Sequence, residues 1–230
     1  MEKPSLFQAT VFSITKLSSH VYQYVFDLPT PLQFTPGQYA TFIIDAQTRR
    51  QYSFAAPCVN QKEFEIVVDV TPMGPGSKFF LEKKVGDIMQ VLAPLGTFYF
   101  EEPTNPVVFV ATGTGIVPFR TMIEEYLTND GKQDIYLYWG LRHEEDIFWK
   151  EMLDRWQKSY CNFHYSIILS KPSDVWQGKI GHVTEHILEE ITNLENHTFY
   201  LCGNKNMIID LREKLKTAGV PDVQMKSELF

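Results

Sequence analysis

Residues 107–126 read V-V-F-V-A-T-G-T-G-I-V-P-F-R-T-M-I-E-E-Y. The unbroken apolar run over 107–111 has the length and β-branched content of a buried parallel strand. It stops at Gly113, Thr114 and Gly115, where glycine permits positive φ and a close backbone approach. Pro118 then stands where a first helical turn tolerates proline, and Phe119, Met122, Ile123 and Tyr126 follow at helical spacing. Strand, glycine turn and helix N-terminus make a phosphate-binding layout, because orphan N–H groups and the positive end of the helix dipole face one point. Pro118 takes the third glycine position of G-x-G-x-x-G, so the dinucleotide fingerprint is incomplete. Taken alone, a generic strand-to-helix turn explains the same residues.

Just before this stretch, at E-E-P-T-N-P over 101–106, the pattern of the chain changes. Upstream, short alternating runs predict strands over 7–12, 21–26, 39–44, 50–54, 64–70, 88–93 and 97–100. Ser77 is placed to N-cap a short helix reaching residue 82. Strands of this length and spacing predict a small antiparallel β-barrel. Downstream, strands over 107–111, 135–139, 163–169 and 198–202 alternate with helices over 118–127, 144–157, 182–190 and 204–216. That alternation predicts a parallel sheet with helices on both faces. The expected organisation is a β-barrel domain over 1–102 and a Rossmann-like α/β domain over 103–230.

The composition is that of an ordinary globular chain, 44% hydrophobic and 21% charged. A net charge of −7 without a basic block argues against nucleic acid as a partner. No apolar run is long enough for a membrane span, and Met1-Glu2-Lys3-Pro4 does not open a signal peptide. A cytoplasmic, monomeric protein is expected. Cys58, Cys161 and Cys202 are far apart, so they form no C-x-x-C pair and cannot hold a four-cysteine iron–sulfur cluster. Any electron chemistry then needs an organic carrier or a partner's centre.

Arg50, Gln51, Tyr52 and Ser53 fall on one barrel strand, where Arg50 and Tyr52 share a face and Ser53 points the other way. An arginine beside an aromatic suits a ligand with a phosphate and a flat ring, although a surface arginine next to a half-buried tyrosine would look the same. Gly76-Ser77, opening a short helix, offers a second anion contact. Two phosphate contacts in the barrel and a glycine turn in the second half imply two nucleotide ligands.

In chain order, Arg50-x-Tyr52-Ser53, Gly74-x-Gly76-Ser77, Gly113-Thr114-Gly115-Ile116-x-Pro118, Tyr200-x-Cys202-Gly203 and Glu228-x-Phe230 resemble the ferredoxin–NADP⁺ reductase superfamily. The fragments P-G-Q-Y at 36–39, P-L-G at 94–96 and W-G-L-R at 139–142 are similar to it too, and the resemblance covers nearly the whole chain. It implies an FAD-dependent oxidoreductase, passing a hydride between NADP(H) and the flavin and electrons to or from a ferredoxin, flavodoxin or related carrier. It also implies roles by position. Arg50 and Gly76-Ser77 would hold the FAD pyrophosphate, with Gln51, Val67 and Gly74 lining the same site. Tyr52 would pack on the flavin, Ser53 would hydrogen-bond near its N5, and Phe230 would cover the other face as a gate. Gly113, Thr114, Gly115 and Pro118 would seat the nicotinamide dinucleotide, with Met207 lining that site, Cys202 near the nicotinamide and Gly203 leaving it room. Glu228 would tune charge or proton supply.

An NAD-type site expects an acid at the end of the second strand to grip the ribose; W-G-L-R over 139–142, ending in Arg142, stands there instead. Ser170, Lys171 and Lys179 supply the serine and positive charge that the resemblance assigns to a 2′-phosphate, so NADP(H) is preferred over NAD(H). Lys78, Lys83 and Lys84 are candidates for docking an acidic carrier. Rival readings are an NAD(P)H-flavin reductase, an oxygenase reductase component and a non-catalytic FAD sensor. A zinc hydrolase is a fourth, since His182-x-x-Glu185-His186 matches H-x-x-E-H.

Overall fold

The computed structural model describes residues 3–57 and 61–229. The chain folds as two compact units, residues 1–100 with 117–126, and residues 101–116 with 127–230.

The first unit contains β1 (Ser5–Lys16), β2 (Val21–Asp27), β3 (Tyr39–Ile43), β4 (Arg49–Ser53), β5 (Glu63–Asp69), α1 (Pro75–Leu81) and β6 (Ile88–Leu95). Its antiparallel sheet has the order β4-β3-β6-β1-β2-β5. A bridge between Phe54 and Ile66, with Ala55 N–H donating to Glu65 O at 2.8 Å, joins the two edges and closes the sheet into a barrel. Closure removes the exposed strand edges that an open sheet would leave. Tyr24, Phe26, Phe42, Phe64 and Phe80 fill the interior with tilted, stacked and edge-on ring contacts at 4.9–6.4 Å. Each buried phenylalanine contributes about 2–3 kcal/mol of transfer free energy.

The second unit contains β7 (Val107–Thr112), a 3-10 turn (Gly113–Gly115) and the start of α2 (Ile116–Thr128). It continues with β8 (Ile135–Leu141), α3 (Lys150–Ser159), β9 (Phe163–Leu169), β10 (Lys179–Ile180), α4 (Val183–Glu190), β11 (Thr198–Gly203), α5 (Lys205–Thr217) and β12 (Met225–Leu229). Every pairing in its sheet is parallel, in the order β10-β9-β8-β7-β11-β12. Val108, Val110 and Leu201 from the sheet meet Ile187 of α4 and Leu211 and Leu215 of α5 in one buried cluster. The chain winds from β7 outward to β10, then returns to β11 on the other side of β7. The crevice at the C-terminal ends of β7 and β11 is therefore a topological switch point, where open α/β sheets bind ligands.

Three local expectations need correction. Residues 97–100 are not a strand: β6 ends at Leu95, Gly96 turns the chain at φ 98°, and Phe98 is buried by packing on Phe119 rather than by a ladder. The predicted helix over 144–157 is a 3-10 turn at Glu144–Asp146 followed by α3, because Trp149 adopts a left-handed φ of 59° between them. Ser77 does not N-cap α1; Gly74 does, with Pro75 behind it, and Ser77 Oγ donates to Asp69 O at 3.4 Å. Proline needs no N–H partner in a first turn, so the helix starts earlier than a serine cap would place it.

Candidate functional site

In the first unit β4 builds the site. Arg50 and Tyr52 lie on one face of the strand, and both reach Gly76 of α1. A Cβ added to Gly76 would fall 2.5 Å from Tyr52 Oη and 3.0 Å from Arg50 Cγ. Only glycine lets the helix start come this near the strand. Tyr52 packs edge-on against Phe42 and Phe80, and burial pushes its hydroxyl up to about 12, so it stays protonated. Arg50 is exposed, and its Nη1 donates to Arg49 O at 2.7 Å. Gly74 faces open space, with nothing within 4 Å of an added Cβ.

Gln51 and Ser53 take the opposite face. Gln51 Nε2 donates to Tyr39 Oη at 3.2 Å. Ser53 is 3% exposed, and its Oγ has no hydrogen-bond partner among the described residues. A buried hydroxyl left in that state costs about 1–3 kcal/mol, so a hydrogen-bonding partner brought to it would be favoured. Val67 is buried on β5, next to Ile66, which bridges to Phe54.

In the second unit the site gathers at the switch point. Gly113 has a φ of 56° with open space before it, and its carbonyl accepts Trp139 Nε1–H at 2.9 Å. Gly115 packs so closely that an added Cβ would lie 2.3 Å from Cys202 O. At Gly203, φ 125°, it would lie 2.3 Å from Thr112 Oγ1. Thr112 Oγ1 in turn accepts Asn204 N–H at 2.8 Å, and the Asn204 side chain caps α5 by accepting Asn206 N–H and Met207 N–H. Thr112 and Asn204 thus bring the glycine turn and the N-terminus of α5 to one point, a suitable seat for an anion. Thr114 is half-buried on that turn, and Pro118 is buried within the first turn of α2. Met207 is half-buried against the core.

Cys202 and Glu228 are register partners on β11 and β12. Cys202 is fully buried; burial and then the nearby Glu228 charge push its thiol well above the usual range, so it is protonated and inert as a nucleophile. Glu228 Oε2 is buried without a hydrogen-bond partner among the described residues, and burial pushes its carboxyl up to about 7. Phe230 lies outside the described residues.

Arg142 and Lys171 leave the adjoining ends of β8 and β9, where Lys171 N–H donates to Arg142 O at 2.9 Å. Both side chains are exposed, and neither makes an ion pair among the described residues. Ser170 Oγ donates to Leu141 O at 3.4 Å. Lys179 is in different company: its ammonium pairs with Glu190, above the Tyr138 ring at 5.3 Å. His182 stands at the N-cap of α4, its N–H donating to Glu185 Oε2 at 3.3 Å. The ring nitrogens of His186 are taken by Glu190 Oε1 and Ile180 O. The H-x-x-E-H pattern is therefore a helix start, with the His186 ring engaged by Glu190 and Ile180.

Thr112, Asn204 and Trp139 hold the site through contacts that the sequence does not assign to them. Asn204, opening a helix after Gly203, carries a capping signal; Thr112 and Trp139 act through tertiary contacts that no local pattern marks.

Two units with these sites define a flavin- and dinucleotide-binding oxidoreductase. The profile described as Oxidoreductase FAD-binding domain matches residues 8–100, and that described as Oxidoreductase NAD-binding domain matches residues 109–213. The chain belongs to the ferredoxin–NADP⁺ reductase superfamily of FAD-dependent oxidoreductases.

It is 33% identical to the anthranilate 1,2-dioxygenase electron transfer component of Acinetobacter baylyi, over 86% of this chain and 59% of that protein. It is 27% identical to the NAD(P)H-flavin reductase of Vibrio harveyi, over 90% of each. Several curated relatives at 30% identity or above are likewise longer, and the chain spans 52% to 60% of them. Its fold matches an Amycolatopsis cytochrome P450 reductase with a TM-score of 0.93 at 23% identity, over 100% of this chain and 71% of that one. It also matches a Neisseria gonorrhoeae ferredoxin NADP⁺ reductase with bound FAD and NADP, with a TM-score of 0.85 at 18% identity, over 97% and 98% of the two chains.

Proposed function

We propose that the chain oxidises NAD(P)H, with NADPH preferred, and delivers the electrons to a one-electron carrier such as a ferredoxin, a flavodoxin or the iron–sulfur component of an oxygenase. FAD, when bound, supplies the chemistry: it accepts a hydride and gives its electrons up one at a time. The observation that carries the reading is Ser53, a buried hydroxyl without a partner among the described residues, on the strand that also bears Arg50 and Tyr52. Ser53 is assigned to the reacting edge of the flavin, Tyr52 to its ring, and Arg50 with Gly76-Ser77 to the pyrophosphate. Gln51, Val67 and Gly74 line the remainder, and Phe230 is assigned the other face of the ring on the family resemblance alone.

The turn of Gly113, Thr114 and Gly115 is assigned to the dinucleotide pyrophosphate, supported by its open approach and the adjoining α5 N-terminus. Cys202, Gly203 and Met207 border the nicotinamide, and Glu228 holds a proton near neutral pH beside it. NADPH is favoured because Arg142 and Lys171 present two exposed cations on adjoining strand ends; arginine brings the planar fork that suits a phosphate. Lys179, held by Glu190, has no part in this reading.

A visible spectrum of the purified protein, titrated in turn with NADPH and NADH, tests the reading. A yellow protein bleached at lower concentrations of NADPH than of NADH is expected. A colourless protein that takes up no FAD would sink it. The Vibrio harveyi relative, which matches over 90% of each chain, favours a second reading as an NAD(P)H-flavin reductase. Flavin lost on gel filtration, with turnover restored by free flavin, would select that reading.

A further inference from the structure

Lys171 is the exposed cation at the end of β9, and a lysine reads a phosphate only as well as its backbone is held. Three consecutive residues after β8 hold it. Arg142 O accepts the Lys171 N–H at 2.9 Å. His143 Nδ1 donates to Lys171 O at 2.7 Å. The Glu144 carboxylate accepts the Ser173 N–H, at 2.9 Å from Oε1 and 3.2 Å from Oε2, and the Ser173 hydroxyl as well.

Between Lys171 and Ser173 stands Pro172, whose ring fixes φ. A hold on Ser173 is therefore transmitted to Lys171 with little slack. The Ser173 hydroxyl in turn keeps the Glu144 carboxyl below the usual range, so it is ionised and accepting at neutral pH. The same residue is an acid beside a cation pair proposed to bind a phosphate. Both of its oxygens are turned to Ser173, so the carboxylate serves to hold the turn.

We propose that Glu144 is a positioning residue for dinucleotide selectivity: by clamping Ser173 it sets the Lys171 turn against Arg142 in the geometry that accepts a 2′-phosphate. The proposal rests on the NADPH reading of Arg142 and Lys171, and deepens it. It gives a carboxylate a supporting role at a phosphate site.

The test uses the FAD-loaded protein and two free nucleotides, 2′,5′-ADP and 5′-AMP, titrated by calorimetry into wild type, Glu144→Ala, Glu144→Gln and Lys171→Ala. Hydrogen exchange is followed at the Lys171 and Ser173 amides. Glu144→Ala should weaken 2′,5′-ADP about tenfold, the effect of losing one or two charge-assisted hydrogen bonds, while leaving 5′-AMP nearly unchanged. It should also speed exchange at both amides. Glu144→Gln, whose carbonyl oxygen still accepts an N–H, should recover most of both. Unchanged or tighter 2′,5′-ADP binding by Glu144→Ala overturns the proposal, the tighter result being that of a merely repelling charge. If Lys171→Ala binds 2′,5′-ADP as wild type does, the phosphate reading itself falls, and the clamp's role in selectivity with it. If Lys171→Ala weakens it and Glu144→Ala does not, only the clamp falls.

Discussion

Glu228 combines a buried oxygen, unpartnered among the described residues, with a carboxyl raised from 4.5 to about 7, and both have a cost. Below pH 4.5 the group is protonated in the folded and unfolded chain alike, and it contributes nothing to pH dependence. Between 4.5 and about 7 the unfolded chain has released a proton that the folded chain still holds. Stability therefore falls as pH rises through that window, and the full cost is present above it. The gap corresponds to about 3 kcal/mol as an upper figure. Glu228→Gln removes the titration. Urea unfolding should show wild type losing about 2–3 kcal/mol more than this variant between pH 4.5 and pH 8. Equal pH slopes for the two proteins would show that the carboxylate is solvated in the folded chain. A protein that retains such a group while a neutral isostere would be more stable keeps it for something other than folding, which is why Glu228 stays in the proposed site.

At the ends of β7 and β11 two glycines do different jobs. Gly203 fastens the end of β11 to the turn: φ is 125°, and an added Cβ would meet Thr112 Oγ1 at 2.3 Å and Thr112 O at 2.6 Å. Gly113 has a φ of 56° and nothing within 4 Å, so its alanine variant bears only the left-handed backbone cost. Gly203→Ala should lose about 3 kcal/mol or more in denaturant unfolding, and Gly113→Ala about 1–2 kcal/mol. Gly113→Ala should nonetheless weaken dinucleotide binding beyond its effect on stability, since the new methyl enters the open approach. The reverse order of stability losses would contradict this division.

The turn itself was legible, because an apolar run ending in glycines and proline is a local signal. The strand β12 was not: Met225-Lys226-Ser227-Glu228-Leu229 has little alternation, and only parallel pairing to β11 makes it a strand. Trp149 was missed because a left-handed tryptophan has no propensity signature. The ion pair that occupies Lys179 joins residues 11 apart through the packing of β10 near α4, which a residue-type argument does not see. The grouping of 117–126 with the first unit was likewise hidden. It depends on tertiary packing such as Phe119 on Phe98, and on Arg120 pairing with Glu65 at 3.3 Å.

At the scale of the whole molecule, the proposed acidic electron carrier would meet a chain of net charge −7. Long-range repulsion must be offset by a local patch, and one candidate is continuous along α1 and the segment after it. Lys78 and Lys84 are exposed there, among Leu81, Val85 and Ile88, which are 43%, 65% and 63% exposed. Lys83 is less free: its ammonium sits 4.2 Å from the centre of the Phe79 ring, so substituting it would disturb packing as well as charge. The discriminating variant is therefore Lys78→Glu with Lys84→Glu. Exposed charges act within about 10 Å at 0.1 M salt, so the double reversal should be felt by a docked protein and not by a small acceptor. With a ferredoxin-type carrier at low salt, kcat/KM should fall about tenfold, and the difference from wild type should shrink in about 0.5 M salt. Reduction of a small dye by NADPH should be unchanged in both salts. A loss that is equal for carrier and dye would place the defect in the flavin site rather than in docking. An unchanged carrier rate would move the docking surface away from α1 altogether.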